Sequence, residues 1–198
     1  SCCLYDENNK DLNSAEIFML DKYLDRADIK SNQEILDLGC GWGSFTLHAA
    51  KKFPQSNFTS ISNSKDQIDF INARATALNL TNVKAIRQNI NELNLDKKFD
   101  RIVSIEMFEH MRNYKKLMKQ ISDLLVEDGK LFVHIFCHKN STYLYEAKSD
   151  SDWMSKFFFT GGIMPSQDIF NYFNEDLVLK NYWEINGKNS VSYTHLTL

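Results

Sequence analysis

A doubly wound α/β fold, with helices covering both faces of a mostly parallel sheet, is what this sequence predicts, on two observations. Short runs rich in β-branched and aromatic residues alternate with stretches whose apolar residues recur at three- and four-residue spacing. The first strong run, Ile35-Leu36-Asp37-Leu38, ends in the series Gly39-Cys40-Gly41-Trp42-Gly43 directly before a helical period. Strands separated by helices call for right-handed crossovers, and those crossovers make the sheet parallel.

Taken in order, Asn13-Ser14 precedes Ile17, Leu20, Tyr23 and Leu24, so a capped amphipathic helix is expected over 14–27. A strand over 34–39, a helix over 44–53, a strand over 57–61 and a helix over 65–78 follow, with Ser64 as N-cap. Then come strands over 83–87 and 100–105, a helix over 114–125 and a strand over 130–136. After Phe136 the pattern breaks into a polar stretch, the aromatic cluster Trp153, Phe157, Phe158 and Phe159, and a glycine turn. Residues 137–165 therefore read as a lid-like insertion over an apolar or aromatic acceptor, although core packing is an equal use for any one of these rings. A helix over 166–173 and a strand over 177–185 resume the alternation. One domain is expected over 1–189. Residues 191–198 lack turn or capping logic and read as a non-native tail, and both ends look truncated.

Composition excludes several classes. Hydrophobic residues make up 43% and charged residues 25% of 198, with only 7 Gly and 2 Pro, so the chain is neither collagen-like nor disordered. Lys and Arg total 23 against 26 Asp and Glu, and a net charge of −3 gives no global attraction to nucleic acid. No apolar run approaches the ~20 residues that cross a bilayer, and the polar opening lacks the parts of a signal peptide, so a cytoplasmic protein is expected. The four cysteines show no CxxC or Cys/His spacing, and no metal site is expected.

Three alternate glycines between a buried strand and a helix let the backbone turn sharply and approach a ligand without Cβ collisions. Their spacing is not the dinucleotide GxGxxG, and no Gly-Lys pair follows to hold phosphates. Asp37 supplies a carboxylate suited to an amino-acid ammonium group. A plain tight strand-to-helix connection is the alternative use of the same residues.

Spelled LDLGCGWG, this segment resembles motif I of class I S-adenosylmethionine-dependent methyltransferases. More narrowly, it resembles the family holding cyclopropane-fatty-acid synthases and coclaurine N-methyltransferase-like enzymes. The likeness continues through SCCLY, SNSKDQ, DRIVSIEMFEHM, LFVHIFCHK, FFFTGGIMPS and WEINGK. It implies S-adenosylmethionine as cofactor, held by Ser1, Asp37, Gly39, Cys40, Gly41, Gly43, Ser62, Asn63, Gln67, Asn89, Ile90 and Ile105. Gln67 would bond a ribose hydroxyl, Asn89 the adenine amine, and Ile90 would cover the ring. A plain loop is the alternative for Gln88-Asn89-Ile90.

The segment Glu106-Met107-Phe108-Glu109-His110 follows the 100–105 strand, at the carboxyl edge where open α/β sheets bind ligands. As a helical turn it would put Glu106, Glu109 and His110 on one face, a set costly to bury without a partner and suited to deprotonating an amine. A solvated surface patch is the alternative. The resemblance implies that Glu109 and His110 form a catalytic pair. It also implies that Glu106 stands where the lipid branch commonly has glycine, which favours an amine acceptor. The lipid alternative, a cyclopropane-fatty-acyl-phospholipid synthase, would hold a bicarbonate base on Cys2, Glu109 and His134, but its C-terminal tyrosine is missing. His134, between Val133 and Ile135, is otherwise a satisfied core histidine. Truncation also leaves open a non-catalytic fragment.

Overall fold

The computed structural model describes residues 3–146 and 161–185, with the backbone of 190–191. A five-stranded parallel sheet organises the chain. Its strands are β2 (Glu34–Leu38), β3 (Asn57–Ser62), β4 (Val83–Arg87), β5 (Phe99–Ile105) and β6 (Leu125–His134), in the order β4-β3-β2-β5-β6. Chain order reverses between β2 and β5, and that is the point where the loops leaving the two strands diverge and open a crevice.

Strand alternation sorts the core onto two faces. Ile35, Phe58 and Val103 pack with Met19, Tyr23 and Leu24 of helix α1 (Leu12–Arg26) and Phe45 and Ala49 of α2 (Ser44–Lys52). The next residues along, Leu36, Leu38, Ile61 and Ile102, pack on the other face against Tyr114, Leu117 and Ile121 of α4 (Tyr114–Leu124). Helix α3 (Lys65–Ala77) presses Ile68 and Ile71 against Cys40 and Ala85. The expected doubly wound α/β architecture is the one observed.

Several element boundaries differ from expectation, each for a local reason. Helix α1 starts earlier, because Asp11 rather than Asn13 or Ser14 caps it: its carboxylate accepts from the Ser14 N–H at 3.0 Å and from the Ser14 hydroxyl at 2.7 Å. Strand β6 stops at His134, and the next free N–H, that of Phe136, donates to the Glu109 carboxylate instead of a ladder. The helix expected over 166–173 is reduced to a 3-10 turn, Ile169–Tyr172. The strand expected over 177–185 does not form. Its apolar residues Val178, Leu179, Tyr182 and Trp183 are exposed, and no strand among the described residues lies alongside to pair its backbone.

Two short pairings complete the fold. β1 (Cys3–Leu4) runs antiparallel to β9 (Ser190–Val191), and β7 (Tyr143–Leu144) runs antiparallel to β8 (Ile163–Met164), drawing together the two ends of the 137–165 insertion. The aromatic cluster Trp153 to Phe159 and residues 192–198 lie outside the described residues. Among those described, no helix is long and apolar enough to cross a membrane.

Asp28 ties the turn after α1 to the sheet. Its carboxylate accepts from the Lys130 ammonium at 2.8 Å and the Arg101 guanidinium at 2.9 Å, and Lys30 pairs with it at 2.9 Å. Lys130 first, then Lys30 and Arg101, hold the acid well below the usual carboxylate range. A depressed folded pKa adds stability above the unfolded value, and that stability fades as pH falls below about 4. Asp28→Asn keeps a residue tolerant of the positive φ of 53° at this position. It should lower stability by about 1 kcal/mol at pH 7, a figure limited by solvent screening. The gap from the parent should be clearly smaller at about pH 2, closing fully only as pH falls through the depressed folded value. Urea melts at both pH values measure it, and an equal gap at both would show that the three cations are not what Asp28 contributes.

Candidate functional site

The crevice at the β2/β5 reversal is built from the glycine loop on one side and the Glu106–His110 segment on the other. Gly39, Gly41 and Gly43 all have positive φ, at 85°, 52° and 81°. Two of them are glycine because of what packs against them. A Cβ on Gly39 would stand 2.5 Å from the Met107 side chain, and one on Gly43 would stand 2.7 Å from Ile71. Gly41 differs: a Cβ there would meet nothing within 4 Å, so its backbone borders open space. Trp42, beside it, is exposed and meets Phe70 edge-on at 5.4 Å.

Asp37 is directed elsewhere. Strand alternation turns it toward α2, where the Thr46 hydroxyl donates to it at 2.6 Å and Ser60 lies 2.6 Å from Thr46. Only 2% of Asp37 is exposed, and burial pushes its acid up to about 7 against the opposing Thr46 bond. The carboxyl thus supports the loop from beneath instead of facing the opening beside Gly41. Cys40 is also buried, in the cluster with Ile68 and Ile71. At the end of β3, the Ser62 hydroxyl donates to the Gln67 amide oxygen at 2.6 Å, which directs the opposite end of the amide, with its two donors, away from Ser62. Ser64 caps α3 as expected, by accepting from the Gln67 N–H. Asn63 is exposed, and its carbonyl accepts from Arg87 at 3.0 Å. Asn89 spends its side-chain oxygen on the Asn91 N–H at 3.0 Å, while Ile90 lies 4.0 Å from the Cβ position of Gly39. Ile105, half-buried, pairs with His134 in the sheet register.

The helical turn expected over 106–110 is not the geometry found. Glu106 has φ of 52°, a left-handed conformation that interrupts any helix, and only Phe108–His110 form a 3-10 turn. Glutamate here adopts the backbone conformation that glycine takes freely, a strain that functional sites store. Its N–H donates to the His134 carbonyl at 2.9 Å, binding the end of β5 to the end of β6.

Consequently Glu109 and His110 point apart. Glu109 is fully buried, and one oxygen accepts from the Phe136 N–H at 2.6 Å while the other has no hydrogen-bond partner among the described residues. Burial pushes this acid up to about 7, and the Glu106 charge adds to the rise. His110 is exposed at the surface of the turn, and although partial burial lowers its pKa, Glu106 opposes that shift. His134, half-buried, is lowered by burial and raised by the same Glu106. Glu106 is therefore the charge felt by Glu109, His110 and His134 together. Ser1 and Cys2 lie outside the described residues.

Three contributors carry no sequence signal of their own: Met107, which fills the space beneath Gly39; Phe136, whose N–H holds Glu109; and Tyr23, which meets His134 from a helix 111 positions away. Met107 was visible only as an apolar residue between charges, and long-range pairs such as the other two leave no local pattern. With its acidic strand residue buried, the arrangement can receive a ligand against Gly41 and present a carboxylate, Glu106, and an imidazole, His110, to a cationic or proton-bearing group beside it.

An acid whose folded pKa is raised destabilises progressively as pH rises from its unfolded value to its folded one. For Glu109 that window runs from about 4.5 to about 7. Glu109→Gln keeps an oxygen for the Phe136 N–H and removes the charge. It should raise stability by roughly 2–3 kcal/mol at pH 8 and change it little at pH 4.5, because each pKa unit corresponds to about 1.4 kcal/mol. Thermal melts at the two pH values test this. A variant no more stable than the parent at pH 8 would mean that Glu109 is comfortably ionised where it lies.

Comparison with known proteins identifies the family and the fold. A family model described as mycolic acid cyclopropane synthetase matches residues 1–186. The chain is 40% identical over 190 residues to an (S)-coclaurine N-methyltransferase of Thalictrum flavum subsp. glaucum, covering 95% of this chain and 53% of that protein. It is 28% identical over 166 residues to the cyclopropane-fatty-acyl-phospholipid synthase of Escherichia coli (strain K12), covering 83% and 41%. A crystal structure of coclaurine N-methyltransferase bound to N-methylheliamine and SAH superimposes with a TM-score of 0.89 at 41% identity, covering 96% of this chain and 56% of that one. The chain thus spans about half the length of the curated relatives it matches. With a family model running from the first residue through the last segment before the terminal strand, the chain belongs to the mycolic acid cyclopropane synthetase family.

Proposed function

We propose that this chain binds S-adenosylmethionine in the crevice at the β2/β5 reversal and directs its methyl group to the nitrogen of a hydrophobic small-molecule amine. The observation that carries the reading is Glu106, a carboxylate held in a glycine-like conformation at the rim, beside His110 and His134. A negative charge there attracts an ammonium group and offers nothing to an olefin in an acyl chain. The N-methyltransferase relatives, at 40% identity against 28% for the lipid synthase, support the same choice.

When bound, S-adenosylmethionine supplies an electrophilic methyl on a sulfonium. The open backbone at Gly41 fits a ligand lying flat against the loop, and the Gln67 donors suit a sugar hydroxyl. Ile90, 4.0 Å from the Cβ position of Gly39, supports a ring-covering role beside the loop, and Ile105 and Asn89 are assigned to the same cofactor. Asp37 acts at one remove, by fixing the loop through Thr46. On the acceptor side, Glu106 draws in the cationic amine. His110 then takes the proton so that the nitrogen lone pair is available, a task within its titration range. Glu109, pushed up to about 7 by burial, is about half protonated near neutral pH and so carries only part of a negative charge there.

The deciding experiment is mass spectrometry of products after incubation with methyl-labelled S-adenosylmethionine, pooled hydrophobic amines and phospholipids bearing unsaturated chains. Label should appear on an amine; label on an acyl chain would replace this reading with the lipid one. His110→Ala should slow methyl transfer by about 10²–10⁴-fold with S-adenosylhomocysteine affinity unchanged. Glu106→Gly should weaken the amine and spare the cofactor, without loss of fold stability, since the backbone there already favours glycine. Amine turnover at parental rate in the double variant would rule out both roles.

Gly41→Ala tests the cofactor placement separately. The added methyl meets no protein atom, so the fold should lose no more than about 1–2 kcal/mol, the cost of alanine at positive φ. S-adenosylhomocysteine binding, followed by calorimetry, should fall more than about tenfold, equivalent to a loss above 1.4 kcal/mol. Undiminished binding would put the cofactor elsewhere.

A further inference from the structure

His134 has two ring nitrogens, and their roles in a neutral imidazole must differ: one carries the proton, the other accepts. Burial favours the neutral ring, with Glu106 opposing and Arg26 reinforcing that effect. The hydroxyl of Tyr23 lies 2.8 Å from Nδ1. Tyr23 is only 1% exposed, and its ring packs on Phe132 at 5.8 Å and on the His134 ring at 5.4 Å. A phenol O–H can donate to a ring nitrogen at this distance. With Nδ1 accepting, Nε2 is the nitrogen left to carry the proton of the neutral ring, and the Glu106 charge acts on that same ring. The same two residues are joined a second time, through the Glu106 N–H and the His134 carbonyl at 2.9 Å.

We propose that Tyr23 is a positioning residue for the acceptor site: its hydroxyl donates to His134 Nδ1, fixes the Nε2–H tautomer, and so keeps a donor available to the Glu106 carboxylate. The inference rests on the amine reading above, and it makes helix α1 part of the acceptor machinery. The tie to Asp28 is what makes this credible mechanically. α1 ends at Arg26, and the Asp28 cluster two residues on anchors it to β5 and β6, so the hydroxyl is delivered from a fixed element.

Tyr23→Phe removes one oxygen and keeps the ring packing. Nitrogen-15 NMR of the histidine side chains, with His134 assigned by its loss in His134→Gln, reads the tautomer directly. The parent should show a single Nε2–H form, and Tyr23→Phe should show averaging between the two tautomers. In steady-state assays with the amine that accepts label, the variant should raise KM about 3- to 10-fold, the worth of one neutral hydrogen bond, with S-adenosylhomocysteine affinity unchanged. An unchanged His134 tautomer in Tyr23→Phe overturns the proposal, as does a changed tautomer with KM unmoved. The NMR arm needs no acceptor. A parent that methylates no amine would therefore refute the amine reading, while the tautomer result still decides whether Tyr23 governs His134.

Discussion

The contact between Met107 and Gly39 is the constraint on which the crevice depends. At 2.5 Å from the position of a Gly39 Cβ, the Met107 side chain leaves no room for any other residue in the loop. This contact brings the exits of β2 and β5 together at the point where the strand order reverses, and it requires Met107 to turn inward immediately after β5. Glu106, just before Met107, leaves the strand in a left-handed conformation, φ 52°. That packing contact explains the glycine at position 39, and the strained glutamate stands next to Met107 in the chain.

Much of the sheet was legible because its signals are local. The strands 57–61, 83–87 and 100–105 and helices such as 65–78 agree with the structure to within a residue or two, since buried parallel strands and capped helices each impose their own pattern. The glycine loop was legible for a similar reason, although sequence could not tell which glycine serves packing and which borders open space. Expectation fails where long-range partners decide. An apolar run at 177–185 looks like a strand, but pairing depends on a neighbouring strand and not on the run itself. Asp11 won the cap of α1 over Asn13 and Ser14 because it can accept from Ser14 twice.

The candidate site was legible as a list of residues and not as a geometry. Spacing placed Glu106, Glu109 and His110 on one helical face. The positive φ at Glu106 cancels that periodicity, so Glu109 enters the core and His110 faces outward. Asp37 illustrates the same limit: two residues from the loop in sequence, it is turned by strand alternation onto Thr46. In each case identity predicted the chemistry, whereas direction depended on a dihedral angle or a strand face that composition does not encode.

Asp37 and Glu109 are both buried acids pushed up to about 7, yet their surroundings assign them different work. Asp37 ends a closed chain: Thr46 donates its one hydroxyl proton to the carboxyl, and Ser60 in turn can donate to Thr46, so the group braces the glycine loop. Glu109 is half satisfied, with one oxygen on the Phe136 N–H and the other unmatched in a fully buried position. An unmatched buried acceptor costs stability that packing alone does not return. The asymmetry between the two acids, and not their shared pKa, is what separates the closed brace at Asp37 from the half-satisfied acid at Glu109.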